Sequence, residues 1–536
     1  MKVARSSFFF AAGTMLSRVS GLIRDQVVLG IFGASVLLDA FFIAFRIPNL
    51  FREMLAEGAL GSAFTKVYSQ VKEEDRKAAR QLFGQAIYLS CLLAIFLSLL
   101  GFLLAPYLVA LMTALSTGEV SLVLTHQAVG LTRLLFPYLG LAVVGSVVAG
   151  VLYQKGRFFL SAIAPFSFNL CYILGALVLA DLCDRYLPSW WQEVLADKRL
   201  TGLSMGVLLG GCCQILMQLK AAYKDLKGYS FSLIPKLSPN VKKVLVLMGP
   251  AALAASTGPL NLIINTNFAA SLGEGTITWL IAAFRLLQLP VGVFGVAIGV
   301  VVLPAISRAI ARGAGEVTLE VRKTMLEGLS LVMWLMSAAG IFLITASDDI
   351  ITLLFQHGKF TPADAAATAA ALRAYAFGVL AYGSIKVLSS FYYAVSRTSY
   401  AMYVAIACVF VNLAGNLLLV EPFGHVGLAI TTALTLTMNA FLLLVGMRRY
   451  DMKAFYLSLL KQLIFLMLLM GIVYLLQRLC LDQLNLLEYA GFLGVKWNSL
   501  AHLTVTGILT LVVFLTAGCV VKKKTPLRLC RDIFSR

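Results

Sequence analysis

The chain has 536 residues, 60% of them hydrophobic and 13% charged, with a mean hydropathy of +0.89. A soluble domain is nearer half apolar and a quarter charged, so a soluble enzyme, a disordered scaffold and a disulfide-stapled secreted domain are poor fits, and an all-α polytopic membrane protein is expected. The 44 Lys and Arg against 25 Asp and Glu leave a net charge of +19, on a chain that otherwise avoids charge.

A window of about 19 residues predicts about fourteen transmembrane helices. The first, 8–33, follows Lys2 and Arg5 and imitates a secretory leader. No small-residue cleavage site follows, and the apolar pattern runs past Arg18 to Phe32, so an uncleaved span is expected. Spans at 36–62, 81–112, 125–153, 158–181 and 203–224 complete a group of six. A second group runs 241–272, 277–307, 324–346, 364–394, 399–420 and 425–447, and two further spans lie at 455–478 and 500–521. These runs are too long for barrel strands, which need only about 10 residues. No connection has room for a folded catalytic domain.

The cations set the orientation. With a cytoplasmic N-terminus, 29 Lys and Arg fall on the inside segments and 6 on the outside, which places both termini in the cytoplasm by the positive-inside rule. The basic balance is then topology, and nucleic acid is not expected as a partner. The nine cysteines form no C-x-x-C and no zinc spacing, so no metal site is read from them.

A shift of 239 or 240 residues superposes Phe45-Arg46 on Phe284-Arg285, Tyr153 and Arg157 on Tyr393 and Arg397, and Ala11-Ala12 with Gly33 on Ala251-Ala252 with Gly273. Their common offset points to a duplication. Six spans per unit keep both copies in the same orientation, a parallel repeat about an axis along the membrane normal. The expected organisation is an N-lobe at 1–226, a C-lobe at 227–448, and two appended helices with a basic tail at 449–536.

Nine cations remain within spans: Arg18, Arg24, Arg46, Arg52, Arg133, Arg285, Arg373, Lys386 and Lys461. Arg373 and Lys461 are near span ends and can snorkel. Arg18 lies about 15 Å from the start of its span at 1.5 Å per residue, close to the middle of a core about 30 Å thick. Arg52 and Arg285 are similarly deep. An arginine there costs about 2.5–3.5 kcal/mol on the lenient insertion scale, so it should face a wet or protein-lined cavity. Two roles fit: a cationic cavity for an anion, or helix-tying pairs with Asp25, Asp39, Glu53 or Glu57. Arg18 and Asp25, like Asp39 and Arg46, are seven apart, on one face but about two turns from direct pairing. Arginine suits bidentate grips on phosphate or carboxylate, and arginines from both lobes would suit a diphosphate head group.

The runs Ser17-Arg18-Val19-Ser20-Gly21-Leu22-Ile23-Arg24-Asp25, Leu38-Asp39-Ala40-Phe41-Phe42, Pro48-Asn49-Leu50-Phe51-Arg52 and Ala56-Glu57-Gly58-Ala59 resemble the signature of the MurJ (MviN) lipid II flippases. Ala283-Phe284-Arg285, Pro290-Val291-Gly292-Val293 and Val302-Leu303-Pro304-Ala305-Ile306-Ser307-Arg308 resemble that family's eighth span. The resemblance covers essentially the whole chain. It implies a transporter of the multidrug/oligosaccharidyl-lipid/polysaccharide exporter superfamily that moves lipid II, the undecaprenyl-diphosphate-linked disaccharide peptide, to the outer leaflet of the bacterial inner membrane for cell-wall synthesis. It further implies that Arg18, Arg24, Asp25, Asp39, Arg52 and Arg285 bind substrate, with Ser17, Arg46 and Glu57 in support. The last two spans would hold the lipid tail.

Glu53 stands where many relatives have a second basic residue, and Thr65-Lys66 replaces their Val-Pro. Positions similar to the sodium ligands of some relatives are neutral here, Asn265, Asn412, Asn416 and Thr432, for which helix-packing amides are the expected role. No cofactor is expected. Coupling stays open between a monovalent cation and the membrane potential, and peptidoglycan synthesis proteins are candidate partners. The competing functions are export of another lipid-linked oligosaccharide or of drugs, and an embedded polyprenyl-phosphate enzyme. The enzyme would need a catalytic acid or His, yet His126, His357, His425 and His502 are scattered at span ends.

Overall fold

The structure, a computed structural model, describes residues 2–116, 118–155, 157–191, 197–226, 238–313, 316–450, 453–484 and 492–520. Among the described residues the chain is helical, without strands. It divides into two compact units, Met1–Thr278 and Trp279–Arg536.

The first unit holds α1 (Lys2–Phe32), α2 (Val36–Phe51) and, through a π-helical stretch at Arg52–Leu60, α3 (Gly61–Glu74). Gly33, at φ +68, ends α1, and its N–H donates to the Leu29 carbonyl at 2.8 Å. The Ser35 hydroxyl caps α2 by accepting from the Leu38 N–H at 3.3 Å. There follow α4 (Arg76–Leu111), α5 (Leu122–Leu135), α6 (Pro137–Gln154), α7 (Phe158–Leu174), a second π-helical stretch at Gly175–Leu179, α8 (Ala180–Tyr186), α9 (Lys198–Leu226) and α10 (Pro239–Ala269). Helix α1 packs on α7, α7 on α9, α2 on α5, and α4 on α6. Close approach rests on small residues, as it must where lipid gives helices no hydrophobic reason to associate. A Cβ on Gly206 of α9 would lie 2.6 Å from the Gly175 Cα.

The division at Thr278 differs from the boundary read from the duplication. Helix α10 packs on the π-helical stretch Arg52–Leu60 and on α3, and Lys243 donates to Gln70 at 3.0 Å.

Helix α11 (Thr276–Pro290) leads into the second unit through a π-helical stretch at Val291–Gly295 and α12 (Val296–Arg312). Then come α13 (Leu319–Thr345), α14 (Ser347–Phe355), α15 (Pro362–Ala376), α16 (Val379–Ala394), α17 (Thr398–Gly446), α18 (Lys453–Leu484) and α19 (Phe492–Val520). Helix α16 is central, packing on α12, α13 and α17, and α18 joins through α13. The 239–240 offset reappears in the backbone. Two of the three π-helical stretches begin at Arg52 and Val291, and Gly33 and Gly273 both have positive φ.

Among the described residues nine helices are long and apolar enough to cross a membrane, or ten if α15 and α16, bent by 46°, form one span. That is fewer than fourteen. The expected spans 399–420 and 425–447, counted together among the nine, are two helices within α17 that meet at a kink at Gly424, whose φ of +54 and ψ of −133 are not helical. The charged α1 and the α2–α3 segment are not among the nine. The exposed exterior is hydrocarbon, with Leu99, Leu103, Leu418, Leu468 and Leu511 all facing outward. Such a surface suits lipid and would aggregate in water.

Candidate functional site

Arg24 is 8% exposed, and each of its three guanidinium nitrogens donates within the protein. Nε and Nη2 donate to Asp25 Oδ1 at 3.0 and 2.7 Å, and Nη1 donates to Asn169 Oδ1 at 2.9 Å. Asn169, on α7, donates in turn to the Ser17 carbonyl at 3.0 Å and the Ser20 hydroxyl at 2.8 Å. The Tyr172 ring, one turn further along α7, lies 4.8 Å from Arg24 Cζ. Neighbours at i and i+1 do not share a helix face; Asn169 and Tyr172 hold the guanidinium where it reaches Asp25. The pairing role considered for the arginines is therefore realised at Arg24, with an adjacent acid rather than one seven residues away. Ser17 and Arg18 are half-buried on the same helix.

Asp39 is completely buried. Its Oδ2 accepts from the Gly275 N–H at 2.8 Å, and Oδ1 accepts from the Thr278 N–H at 2.8 Å and the Thr278 hydroxyl at 2.6 Å. The carboxylate thus satisfies otherwise orphaned donors at the start of α11. In this arrangement both carboxylate oxygens of Asp39, expected to meet substrate, bond within the protein. Arg46, two turns on, donates to the Leu262 carbonyl at 3.1 Å and to the Thr266 hydroxyl, so it ties α2 to α10.

Arg52 opens the first π-helical stretch. Its Nε donates to Asn49 Oδ1 at 3.0 Å, Asn49 donates to Glu53 Oε1 at 2.9 Å, and Arg52 Nη2 lies 3.8 Å from Glu53. Its side chain, 23% exposed, lines a cavity of about 990 Å³ within the first unit, together with Lys66, Gln70, Ser146, Gln214 and Gln218. Among the described residues no carboxylate lines it. The Glu57 side chain lies outside the described residues.

In the second unit Arg285 is half-buried on α11, and its neighbour Phe284 packs on Tyr375 and Tyr382 with centroids 5.3 and 6.3 Å apart. Asn412 and Asn416 are buried, and Asn416 donates to Asn412 at 3.4 Å. Thr432 donates to its own helix at Leu428, and Asn265 is half-buried on α10. These are neutral groups on helices, and among the described residues no cluster of His, Cys, Asp and Glu could hold a metal ion.

The sequence reading missed Asn169, Tyr172, Gln214 and Gln218, and took Lys66 for a topology signal. The two glutamines had a legible signature, polar residues at i and i+4 in an apolar run.

Buried arginines, cross-helix amides and a cavity bordered by cations, on a chain with an apolar exterior, define a membrane transporter, in which no bond is made or broken. The fold is that of a solved lipid II flippase MurJ in an inward closed conformation, with TM-score 0.73, 23% identity, and coverage of 95% of this chain and 98% of that one. It is also similar to an inward-facing multidrug resistance MATE family transporter of the MOP superfamily, with TM-score 0.64, 16% identity, and coverage of 83% and 98%.

A family model described as lipid II flippase MurJ matches residues 28–491. The lipid II flippase MurJ of Burkholderia cenocepacia is 32% identical over 455 residues, 84% of each chain. The probable lipid II flippase MurJ of Haemophilus influenzae is 32% identical over 454 residues, 82% of this chain and 86% of that one. The chain belongs to the lipid II flippase MurJ family and is an inner-membrane protein.

Proposed function

We propose that this chain flips lipid II from the inner to the outer leaflet by alternating access, with both termini cytoplasmic. The observation that carries the reading is the cavity bordered by Arg52 and Lys66, cationic and without a carboxylate among its described lining. A drug exporter selecting organic cations would want acids there; a diphosphate wants arginine. Arg52 and Lys66 supply the charge there, and Arg18 is a further candidate on the diphosphate. Arg24 is oriented by Asn169 and shares its charge with Asp25, so a phosphate oxygen competes with Asp25 for it. The inside-negative membrane potential favours moving an anion outward by about 2.3 kcal/mol per charge per 100 mV, and it is the proposed driving force. Asn412, Asn416 and Thr432 act in helix packing.

Depletion of the protein in cells, followed by an impermeant probe of outer-leaflet lipid II, tests this. The expected result is loss of outer-leaflet precursor with accumulation inside. Undiminished outer-leaflet precursor, with no other flippase present, would overturn it.

A further inference from the structure

Helix α5 carries Arg133 within an apolar run, and the residue is exposed on the outside of the first unit. Its guanidinium carbon lies 5.2 Å from the centre of the Phe102 ring on α4, and among the described residues it has no ion pair and no hydrogen bond. The surroundings are hydrocarbon: Phe102 is 52% exposed, and Leu99 and Leu103 beside it also face outward. Arg133 stands eleven residues into α5, about 16 Å at 1.5 Å per residue, and Phe102 nine residues before the end of α4, about 14 Å. Both measures put the cation well below the α4–α5 connection, at a depth where a charge without a partner is unfavourable. Long helical side chains lean toward the N-terminus of their helix, so the arginine stem reaches back toward that connection.

The duplication supplies an internal comparison. A shift of 240 residues carries Arg133 to Arg373, and the start of α5 at Leu122 to the start of α15 at Pro362. Arg373 is paired: its Nε donates to the Ser347 hydroxyl at 3.2 Å and its Nη2 to Asp348. Those partners are within reach because α13 stops at Thr345 and α14 restarts at Ser347, with Asp348 and Asp349 in its first turn. In the first copy α4 runs unbroken to Leu111, and the same shift puts Tyr107 and Leu108 at the positions of Ser347 and Asp348. The arginine was kept in both copies, and the counter-charge in only one.

We propose that Arg133 binds the phosphate of an anionic phospholipid of the phosphatidylglycerol type, in the leaflet beside the α4–α5 connection, which is the outer leaflet when both termini are cytoplasmic. The phosphodiester takes the place that Asp348 fills beside Arg373, and its oxygens suit the planar fork of arginine. The acyl chains lie against Leu99, Phe102 and Leu103. Charge selects the lipid: a zwitterionic head group brings an ammonium that competes for its own phosphate, whereas a singly negative one leaves its charge to the guanidinium. The site is separate from the arginines assigned to the diphosphate and does not depend on the flippase reading.

The test uses the purified full-length protein in phosphatidylcholine vesicles that contain a small fraction of phosphatidylglycerol with a photoreactive group next to its phosphate. Labelling is expected within 99–107 or 126–133, and the yield there is expected to fall about fivefold in Arg133→Gln, the equivalent of losing one arginine at a charged lipid surface. Phe102→Glu, which sets a carboxylate beside Arg133 as Asp348 stands beside Arg373, is expected to lower it likewise, whereas Arg373→Gln is expected to leave it unchanged. Labelling of these segments that is indifferent to Arg133 overturns the site. So does absence of label there, which would leave the face to an acidic helix of another protein. A comparison on the unsubstituted protein stands even if a variant does not fold: a phosphatidylcholine with the same photoreactive group is expected to label these segments weakly, and equal labelling by the two lipids contradicts the proposal.

Discussion

At the scale of single residues, an arginine in the membrane is defined by the groups that orient it. Arg24 has three of its nitrogens bonded within the protein, and Asn169 is the partner that also grips Ser17 and Ser20. Replacing Asn169 with Leu is expected to lower flipping roughly tenfold, the equivalent of ~1.4 kcal/mol, by freeing the guanidinium to rotate; unchanged flipping would show that Asn169 does not position Arg24. Asp39 differs in kind. Asp39→Ala strands the N–H groups of Gly275 and Thr278 at about 1–3 kcal/mol for each donor left unsatisfied. The expected outcome is a lowered thermal unfolding midpoint in detergent, whereas a midpoint at the unsubstituted value would show that the cap carries no stability. That Arg18, Arg24, Arg52 and Arg285 fall within apolar runs was legible in the sequence. Their partners were not, because an amide such as Asn169 in an apolar helix carries no charge to mark it.

At the scale of elements, apolar runs bounded by Gly, Pro and charged connections located the helices well. The break at Gly424 falls in the expected gap between 420 and 425. What the pattern could not show is which neighbour a helix chooses. The duplication assigns residues 239–269 to the second copy, yet Arg46 and Gln70 bond to that helix from the first unit. Those contacts depend on which face each helix turns inward, and hydropathy nearly uniform around a membrane helix does not record it. Helix contact also depends on glycine: Gly206→Leu should force α9 from the π-helical stretch after α7, since even a Cβ meets Gly175 at 2.6 Å. The expected outcome is loss of folded protein, read by the monodisperse fraction after extraction; normal yield would contradict the tight crossing.

At the scale of the whole molecule, the net charge of +19 divides into two uses. Most of the cations lie outside the apolar runs, and the proposed cytoplasmic placement of both termini rests on them. A few lie within the apolar runs and are held by amides, hydroxyls and the adjacent acids Asp25 and Glu53, and one of them, Arg52, borders a cavity. The class of transporter follows from that second group. The most direct measurement is lipid II translocation in proteoliposomes containing the purified protein alone, read by access of an impermeant reagent to labelled lipid II. The expected result is translocation by the unsubstituted protein that accelerates with an imposed potential and is abolished in Arg18→Ala and Arg52→Ala. Translocation unaffected by these substitutions, or absent from the unsubstituted protein, would contradict the proposal that buried arginines carry the diphosphate across.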